Sequence, residues 1–161
     1  MKKFMEQKEM KREIDSKFDA ALKQFEEMFP KIDPMEGGCA EGTLTSILNV
    51  LGIQDGLINN IMIPLSGGLG GYKSEGGWTG PCGAVVGGCA AVGAILGGKG
   101  REKMSKDLIP IAYMKSAQFA KEFEKEFGSI ICPELSGHDF SDPNALTEYI
   151  EDGTWGKKCY K

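Results

Sequence analysis

Apolar residues recur at helical spacing in the first 30 residues. Ile14, Phe18, Leu22, Phe25 and Phe29 follow one another at steps of 4, 4, 3 and 4, and charged or amide side chains fill the positions between them. This spacing places the apolar side chains on one face of a helix. The pattern predicts an amphipathic helix over residues 7–29, ended by the prolines at positions 30 and 34.

Two further segments show the same periodicity. Residues 39–51 predict a second helix with a stop at Gly52, and a short apolar piece follows over residues 56–65. Residues 105–127 predict a long helix with a row of phenylalanines on one face, with Pro110 in its first turn or at a kink and Gly128 at its end.

The remainder of the chain after Cys132 is rich in proline and glycine and predicts mainly turns. One short helix is expected over residues 144–150, behind an N-cap at Asp142 or Ser141. Since no segment alternates in the manner of a strand, the predicted fold class is all-α. We expect a compact helical domain with a long glycine-rich loop and an irregular C-terminal tail.

Glycine is concentrated in the middle of the chain, where 14 of the 23 glycines fall within residues 66–100. The first half of this segment, to Gly80, contains polar and aromatic residues and is expected to be loop. The second half is small and apolar and predicts a buried central helix that begins at Cys82, with Thr79 as a candidate N-cap. Its Gly-x-x-x-Gly spacings, 83/87 and 93/97, allow a neighbouring backbone to approach closely.

Composition and charge narrow the class of protein. The 161 residues suit one domain, residues 1–161, and 19 basic against 23 acidic side chains give a net charge of −4. This balance gives no electrostatic reason to expect nucleic acid or a membrane surface as a partner. The first 30 residues are charged and lack an apolar signal region, so we expect a cytoplasmic protein whose thiols stay reduced.

The five cysteines form none of the common local motifs. There is no C-x-x-C and no C-x-x-C-H, so the spacings of zinc fingers, thioredoxins and haem attachment sites are absent from the sequence. Four of the cysteines nevertheless lie beside glycine or proline at the predicted boundaries of helices or turns. Helix N-termini stabilise thiolates and offer N–H groups to the sulfurs of a cluster, so a cage of thiolates from four segments is physically reasonable. The four cysteines are Cys39, Cys82, Cys132 and Cys159.

The remaining candidates for chemistry are weaker. Cys89 lies within the small apolar stretch of the central helix and is interpreted as a packed residue, with an extra ligand as the alternative. His138 is the only histidine, so histidine-rich metal sites are excluded and a Cys–His nucleophile pair is disfavoured. The glycine loop matches neither a phosphate-binding loop nor a dinucleotide fingerprint. Three aromatic residues, Tyr72, Trp78 and Trp155, are candidates to shield a cofactor or to cap the core.

Several motifs taken in order resemble the C-GCAxxG-C-C family, small bacterial and archaeal proteins described as redox-active. They are Gly-Cys-Ala-Glu at 38–41, Ser-Gly-Gly-Leu-Gly at 66–70, Cys-Gly-Ala-Val-Val-Gly at 82–87, the run from Phe127 to Gly137, and Cys159. The resemblance covers residues 37–159, which would form a redox core behind the N-terminal helix of residues 1–30. It implies that the family's four cysteines are Cys39, Cys82, Cys132 and Cys159, although residues 88–93 also spell GCAxxG around Cys89.

The resemblance also implies a cofactor class. A related domain in split-Soret cytochromes is linked with an iron–sulfur centre and dimerisation, so one cluster held by the four cysteines is expected, [4Fe–4S] first and [2Fe–2S] second. Glycines of the loop and of the central helix would then contact the cluster, namely Gly67, Gly68, Gly70, Gly80 and Gly83. We expect an electron carrier rather than a catalyst, with an unknown redox partner protein and a homodimer as a reasonable assembly. A metal-free thiol–disulfide protein and a structural or sensing zinc protein are the alternatives.

Overall fold

A computed structural model describes residues 2–28, 31, 33, 36–97 and 103–160. Seven right-handed α-helices occur in this part of the chain, and no strand does, so the all-α prediction is confirmed. The helices are α1 (Lys2–Met28), α2 (Cys39–Val50), α3 (Gly56–Met62), α4 (Gly83–Leu96), α5 (Ile109–Phe127), α6 (Cys132–Ser136) and α7 (Ala145–Glu151). A 3₁₀ turn (Ile63–Leu65) and a terminal π turn (Trp155–Cys159) complete the set.

Helix α4 lies at the centre, packed against α2 on one side and α5 on the other. Its close approach to α2 depends on glycine: a Cβ atom at Gly87 would lie 2.9 Å from the Cβ of Thr43, too close for any side chain. Gly88 meets the ring of Phe119 on α5 in the same way. The prediction of a buried central helix is therefore confirmed. The second glycine pair does not contribute, because nothing lies within 4 Å of a Cβ built at Gly93.

The buried core lies mainly between α2, α3 and α4. Its buried members are Ala40, Leu44, Leu48, Met62 and Ala91, and further partly buried aliphatic side chains pack around them. The first three lie four residues apart on α2, so the apolar face predicted for this segment is the face that builds the core.

Several predicted helix boundaries are corrected by the structure. Helix α1 begins at Lys2 rather than at residue 7, while Phe29, Pro30 and Pro34 lie outside the described residues. Helix α5 begins at Ile109, not residue 105, because residues 105–108 form a turn in which the Leu108 N–H donates to the Ser105 carbonyl. Pro110 then occupies the first helical turn, where its missing N–H costs nothing.

Two predicted N-caps are also wrong. Cys82 itself caps α4, because the segment that precedes it is held extended by pairing with residues 130–132, which leaves Thr79 too far from the helix start. Asn144 caps α7, whereas the Asp142 carboxylate accepts a hydrogen bond from the Asn144 N–H and so closes the turn before the helix. The irregular tail contains two helical elements that were not predicted, α6 and the π turn.

The glycine-rich segment is not a simple loop. Residues 67–70 all have positive φ and ψ, with φ between 59° and 71°, and so form a turn of left-handed helix within Ser66–Gly71. Three of these four residues are glycines, which lack a Cβ and adopt the left-handed conformation readily. Leu69 is the exception, and its Cβ makes this conformation energetically unfavourable. A tight turn follows, closed by an isolated antiparallel bridge between Lys73 and Thr79.

No helix in the described part of the chain is both long enough and apolar enough to cross a membrane. The small apolar helix α4 is 14 residues long.

Candidate functional site

Three of the four boundary cysteines stand at helix N-termini. Cys39 is the first residue of α2, Cys82 is the N-cap of α4, and Cys132 is the first residue of α6. Cys159 is the last residue of the terminal π turn. The backbone N–H groups at the start of a helix lack intrahelical partners, so these positions stabilise negative charge on sulfur.

The four thiols converge on one another. A negative charge on Cys39 or Cys159 opposes ionisation of Cys82, and charges on Cys39, Cys82 and Cys159 all oppose ionisation of Cys132. Cys39 acts in the same way on Cys159. Every pair among the four thiols therefore interacts electrostatically, although the residues come from four separate segments of the chain.

The pairing of two extended segments brings Cys82 close to Cys132. Pro81 and Ile131 form an isolated antiparallel bridge, in which the Cys82 N–H donates to the Ile130 carbonyl (2.7 Å) and the Cys132 N–H donates to the Gly80 carbonyl (3.1 Å). Diagonal neighbours across such a pair project from the same face. The bridge thus places two thiols together immediately before each begins its own helix.

Glycines allow the backbone to pack closely behind these cysteines. A Cβ at Gly83 would overlap the sulfur of Cys39 and would lie 2.8 Å from the Ala40 nitrogen. A Cβ at Gly80 would lie 2.9 Å from the Cα of Gly68, whose own Cβ would meet Cys132 at 3.1 Å. Three of the five predicted cofactor-contacting glycines therefore line the cysteine site. The other two lie elsewhere: the atoms nearest to Gly67 and Gly70 belong to Phe140 and Pro64.

A serine from the glycine-rich segment caps helix α2 beside Cys39. The Ala40 N–H donates to the Ser66 hydroxyl (3.0 Å), across 26 residues of sequence. Gly38 permits this approach, because a Cβ there would lie 2.8 Å from the Cβ of Ser66. Sequence reasoning missed Ser66, since its partner is not local; the serine that opens the glycine run was the only available signal.

Burial raises the pKa of Cys82, Cys132 and Cys159, so these three thiols are hard to ionise in the absence of a cation. It raises the pKa of Cys132 to about 12, and repulsion from the other three thiols adds to the effect. Burial also raises the pKa of Cys82, which the N–H groups of Ala84 and Val85 partly offset by donating to its sulfur. The pKa of Cys159 is raised by burial and is lowered in part by a hydrogen bond from Tyr149.

Aromatic rings surround the Cys159 end of the site. Besides its bond to the Cys159 sulfur, Tyr149 packs edge-on against His138, with 5.6 Å between ring centroids. Trp155 lies edge-on to Tyr160 at 5.9 Å, and Tyr160 stacks on Phe25 of α1 at the same centroid distance. Of the three aromatics considered as shields, only Trp155 is here. Tyr72 and Trp78 pack on each other on the exposed tight turn.

Cys89 and His138 lie outside the group of four thiols. The Cys89 sulfur approaches the Ser116 carbonyl of α5 at 3.7 Å, so this residue packs between α4 and α5. The His138 ring Nε2 lies 3.0 Å from the Asp152 carboxylate and 3.3 Å from the Thr154 hydroxyl. These contacts with Asp152 and Thr154 give the only histidine a structural environment.

All five cysteines are free thiols. Within the described residues, no three or more His, Cys, Asp or Glu side chains stand at the spacing that would hold a metal ion. The four thiols are thus close enough to interact electrostatically, but they are not arranged as the ligands of a metal ion. The donor chemistry nevertheless fits a soft metal or an iron–sulfur cluster, which thiolates bind.

Fold and site together define an all-α protein whose glycine-backed segments gather four cysteines. The chain matches the family model described as "Putative redox-active protein (C_GCAxxG_C_C)" over residues 38–160, about three quarters of its length. The chain therefore belongs to the C_GCAxxG_C_C family, as its motifs predict. No curated protein and no solved structure matches the chain.

Proposed function

We propose that this protein binds one iron–sulfur cluster through Cys39, Cys82, Cys132 and Cys159 and transfers electrons. The observation that carries the proposal is the mutual electrostatic interaction of these four thiols, from which Cys89 is absent. Thiols whose negative charges would repel one another need a cationic partner to exist together as thiolates. A [4Fe–4S] cluster is the first choice and a [2Fe–2S] cluster the second.

The chain's own residues would bind the cluster and shield it. The four sulfurs would be the ligands of the cluster. The N–H groups of Ala84 and Val85, which already approach the Cys82 sulfur, would influence which oxidation state of the cluster is favoured. Gly68, Gly80 and Gly83 keep side chains out of the space beside the cysteines. When bound, such a cluster supplies one-electron chemistry.

The surrounding residues favour electron transfer over catalysis. The only histidine is held by Asp152 and Thr154 and not by a thiol, so the obvious general base has a structural partner. The candidate site consists of cysteines, glycines and aromatic rings. Such residues tune the potential of a cluster, and they do not form the acid–base pair that most hydrolytic or transfer reactions need.

The first test is anaerobic purification followed by quantitation of iron, acid-labile sulfide and zinc. About four iron and four sulfide per chain would support the [4Fe–4S] assignment. About two of each would indicate [2Fe–2S], or one cubane shared by a homodimer, and Mössbauer and EPR spectra separate these two cases. Stoichiometric zinc would replace the proposal with the structural or sensing alternative. A metal-free chain that cycles reversibly between dithiol and disulfide would replace it with the thiol–disulfide alternative.

Matched cysteine variants test the ligand set. Cys132→Ala should lose most of the iron, whereas Cys89→Ala, which removes a thiol between α4 and α5, should retain it. Loss of half or more of the iron in Cys89→Ala would contradict the assignment of four ligands. Circular dichroism of both metal-free variants separates loss of a ligand from loss of the fold.

A further inference from the structure

A large crevice between α1 and α2 ends at two of the four thiols. Its volume is about 740 Å³, within the range of roughly 300–1,000 Å³ that is typical of small-molecule sites. Cys39, Cys159 and Tyr160 line the end of the crevice nearest the cysteine site. A molecule in this crevice would therefore lie next to the sulfur atoms.

The two walls of the crevice differ in chemistry. Helix α1 contributes apolar side chains, among them Phe18, Leu22 and Phe25. Helix α2 contributes the hydroxyls of Thr43 and Ser46 and the amide of Asn49, which lie three residues apart along it. Such a site suits a neutral ligand with a flat apolar body and oxygen atoms that accept hydrogen bonds.

Charge argues against the common phosphorylated redox cofactors. Lys17 is the one charged side chain among the described residues that line the crevice, and the N-terminus of α2 presents Cys39 there rather than a phosphate-binding loop. A single flexible ammonium does not provide the convergent donors that hold a diphosphate. The occupant is therefore expected to be uncharged.

The crevice is elongated. A second cavity of about 310 Å³, lined in part by Ile14, Leu51 and Gly52, shares Lys17, Asn49 and Val50 with the first. The two cavities follow the same α1–α2 groove away from the thiols. This shape fits a ring at one end and a chain extending from it.

We propose that the α1–α2 crevice binds a quinone, with its ring beside Cys39 and Cys159 and its substituent chain along the groove. The ring would pack against Phe25 and Tyr160, which already stack on each other with 10° between their planes. The hydroxyls of Thr43 and Ser46, about 4.5 Å apart along α2, would donate to the quinone oxygens, and the Asn49 amide lies further along the groove. The crevice exists whatever the cysteines bind, whereas the choice of a redox-active occupant rests on the proposed function.

Trp155 provides a reporter for the test, because it lies 5.9 Å from Tyr160 at the edge of the crevice. The Trp78→Phe protein, purified anaerobically, is titrated with duroquinone, whose fully methylated ring cannot arylate thiols. We expect saturable quenching of Trp155 fluorescence. Thiol content is measured before and after, so that binding is distinguished from oxidation.

Two variants of this Trp78→Phe protein make the test specific. Ala21→Phe places a ring in the crevice and should raise the duroquinone concentration for half-saturation at least tenfold. Ala117→Phe makes the same change at an exposed position in the middle of α5 and should leave it unchanged. Should Ala21→Phe prove unfolded by circular dichroism, Ser46→Phe fills the crevice from an exposed position on α2.

Quenching that rises linearly without saturation, or that a folded crevice-filling variant leaves unchanged, overturns the quinone site. The outcome is separable from that of the proposed function. If the protein contains iron and sulfide but shows no saturable quenching, the crevice assignment alone is refuted. Saturable quenching in a chain without iron or sulfide would refute the cluster alone and retain the crevice.

Discussion

Gly83 is the position where the packing behind the cysteines is most open to test. In Gly83→Ala the new Cβ would lie 2.8 Å from the Ala40 nitrogen and closer still to the Cys39 sulfur. Non-bonded heavy atoms need about 3.5–4.0 Å, so the start of α2 must move away by most of an ångström. Neither obstacle yields easily, because one is backbone and the other is a short side chain at a helix start.

The expected cost follows from two contributions. Overpacking of this kind costs about 1–3 kcal/mol. A shift of α2 also weakens the 3.0 Å hydrogen bond from the Ala40 N–H to Ser66, for about 1 kcal/mol more. We therefore expect Gly83→Ala to lower the free energy of unfolding by about 2–4 kcal/mol in total.

Gly93 offers a matched control on the same helix. Nothing lies within 4 Å of a Cβ at Gly93, so Gly93→Ala should gain about 1 kcal/mol from the higher helix propensity of alanine. Urea unfolding of the reduced, metal-free proteins measures both changes, provided that the slope with denaturant is the same. Equal stability of the two variants would refute the argument that Gly83 is needed for close packing against Cys39.

Three further predictions concern the same site. Gly80→Ala should destabilise the chain and lower its metal content, because the new Cβ would overlap the Gly68 backbone. Gly76→Ala is the control and should do neither, since only Ser74 lies near its Cβ, at 3.9 Å. Unfolding and iron assays on both variants check this. Tyr149→Phe removes the donor to Cys159 and so raises the pKa of that thiol, which should slow its alkylation by iodoacetamide relative to Cys89 in the same digest; unchanged relative rates would contradict the hydrogen bond. The pKa of Cys132 is about 12 in the folded chain and 9.0 in the unfolded chain. As the pH rises, the Cys132 thiol therefore loses its proton first in the unfolded chain, which favours unfolding. Through this group, the free energy of unfolding of the metal-free protein should fall by about 1 kcal/mol from pH 8 to 10. Urea midpoints at both pH values should show a smaller decrease in Cys132→Ala.

The helices that could be predicted from sequence are those with a continuous local pattern. The apolar face of α2 and the phenylalanine row of α5 are properties of neighbouring turns, and both appear where the spacing places them. The Gly83/Gly87 pair was predicted for the same reason, since close helix packing requires small residues at that interval. Boundaries were less predictable, because a turn at residues 105–108 and an extended Pro81 compete with helix at its first residues.

The left-handed turn and the partners of the site could not be predicted. A glycine permits either hand, so Gly67, Gly68 and Gly70 do not select one locally. Contacts with other segments select it, such as the approach of Gly68 to Gly80 and Cys132. The bond from Ala40 to Ser66 spans 26 residues and likewise has no local signature. Sequence placed the four cysteines at element boundaries, and only the fold brings those boundaries together.

The arrangement of the cysteines explains why a metal would also complete the fold. Without a cation, burial and repulsion raise the pKa of Cys82, Cys132 and Cys159, and neutral thiols hold their segments together only weakly. Cys159 ends the terminal π turn, and its sulfur accepts a hydrogen bond from Tyr149. A cation that binds all four thiolates reverses the sign of these interactions and joins α2, α4, α6 and the terminal turn at one point. Metal binding is therefore expected to stabilise the packing of the C-terminal segment.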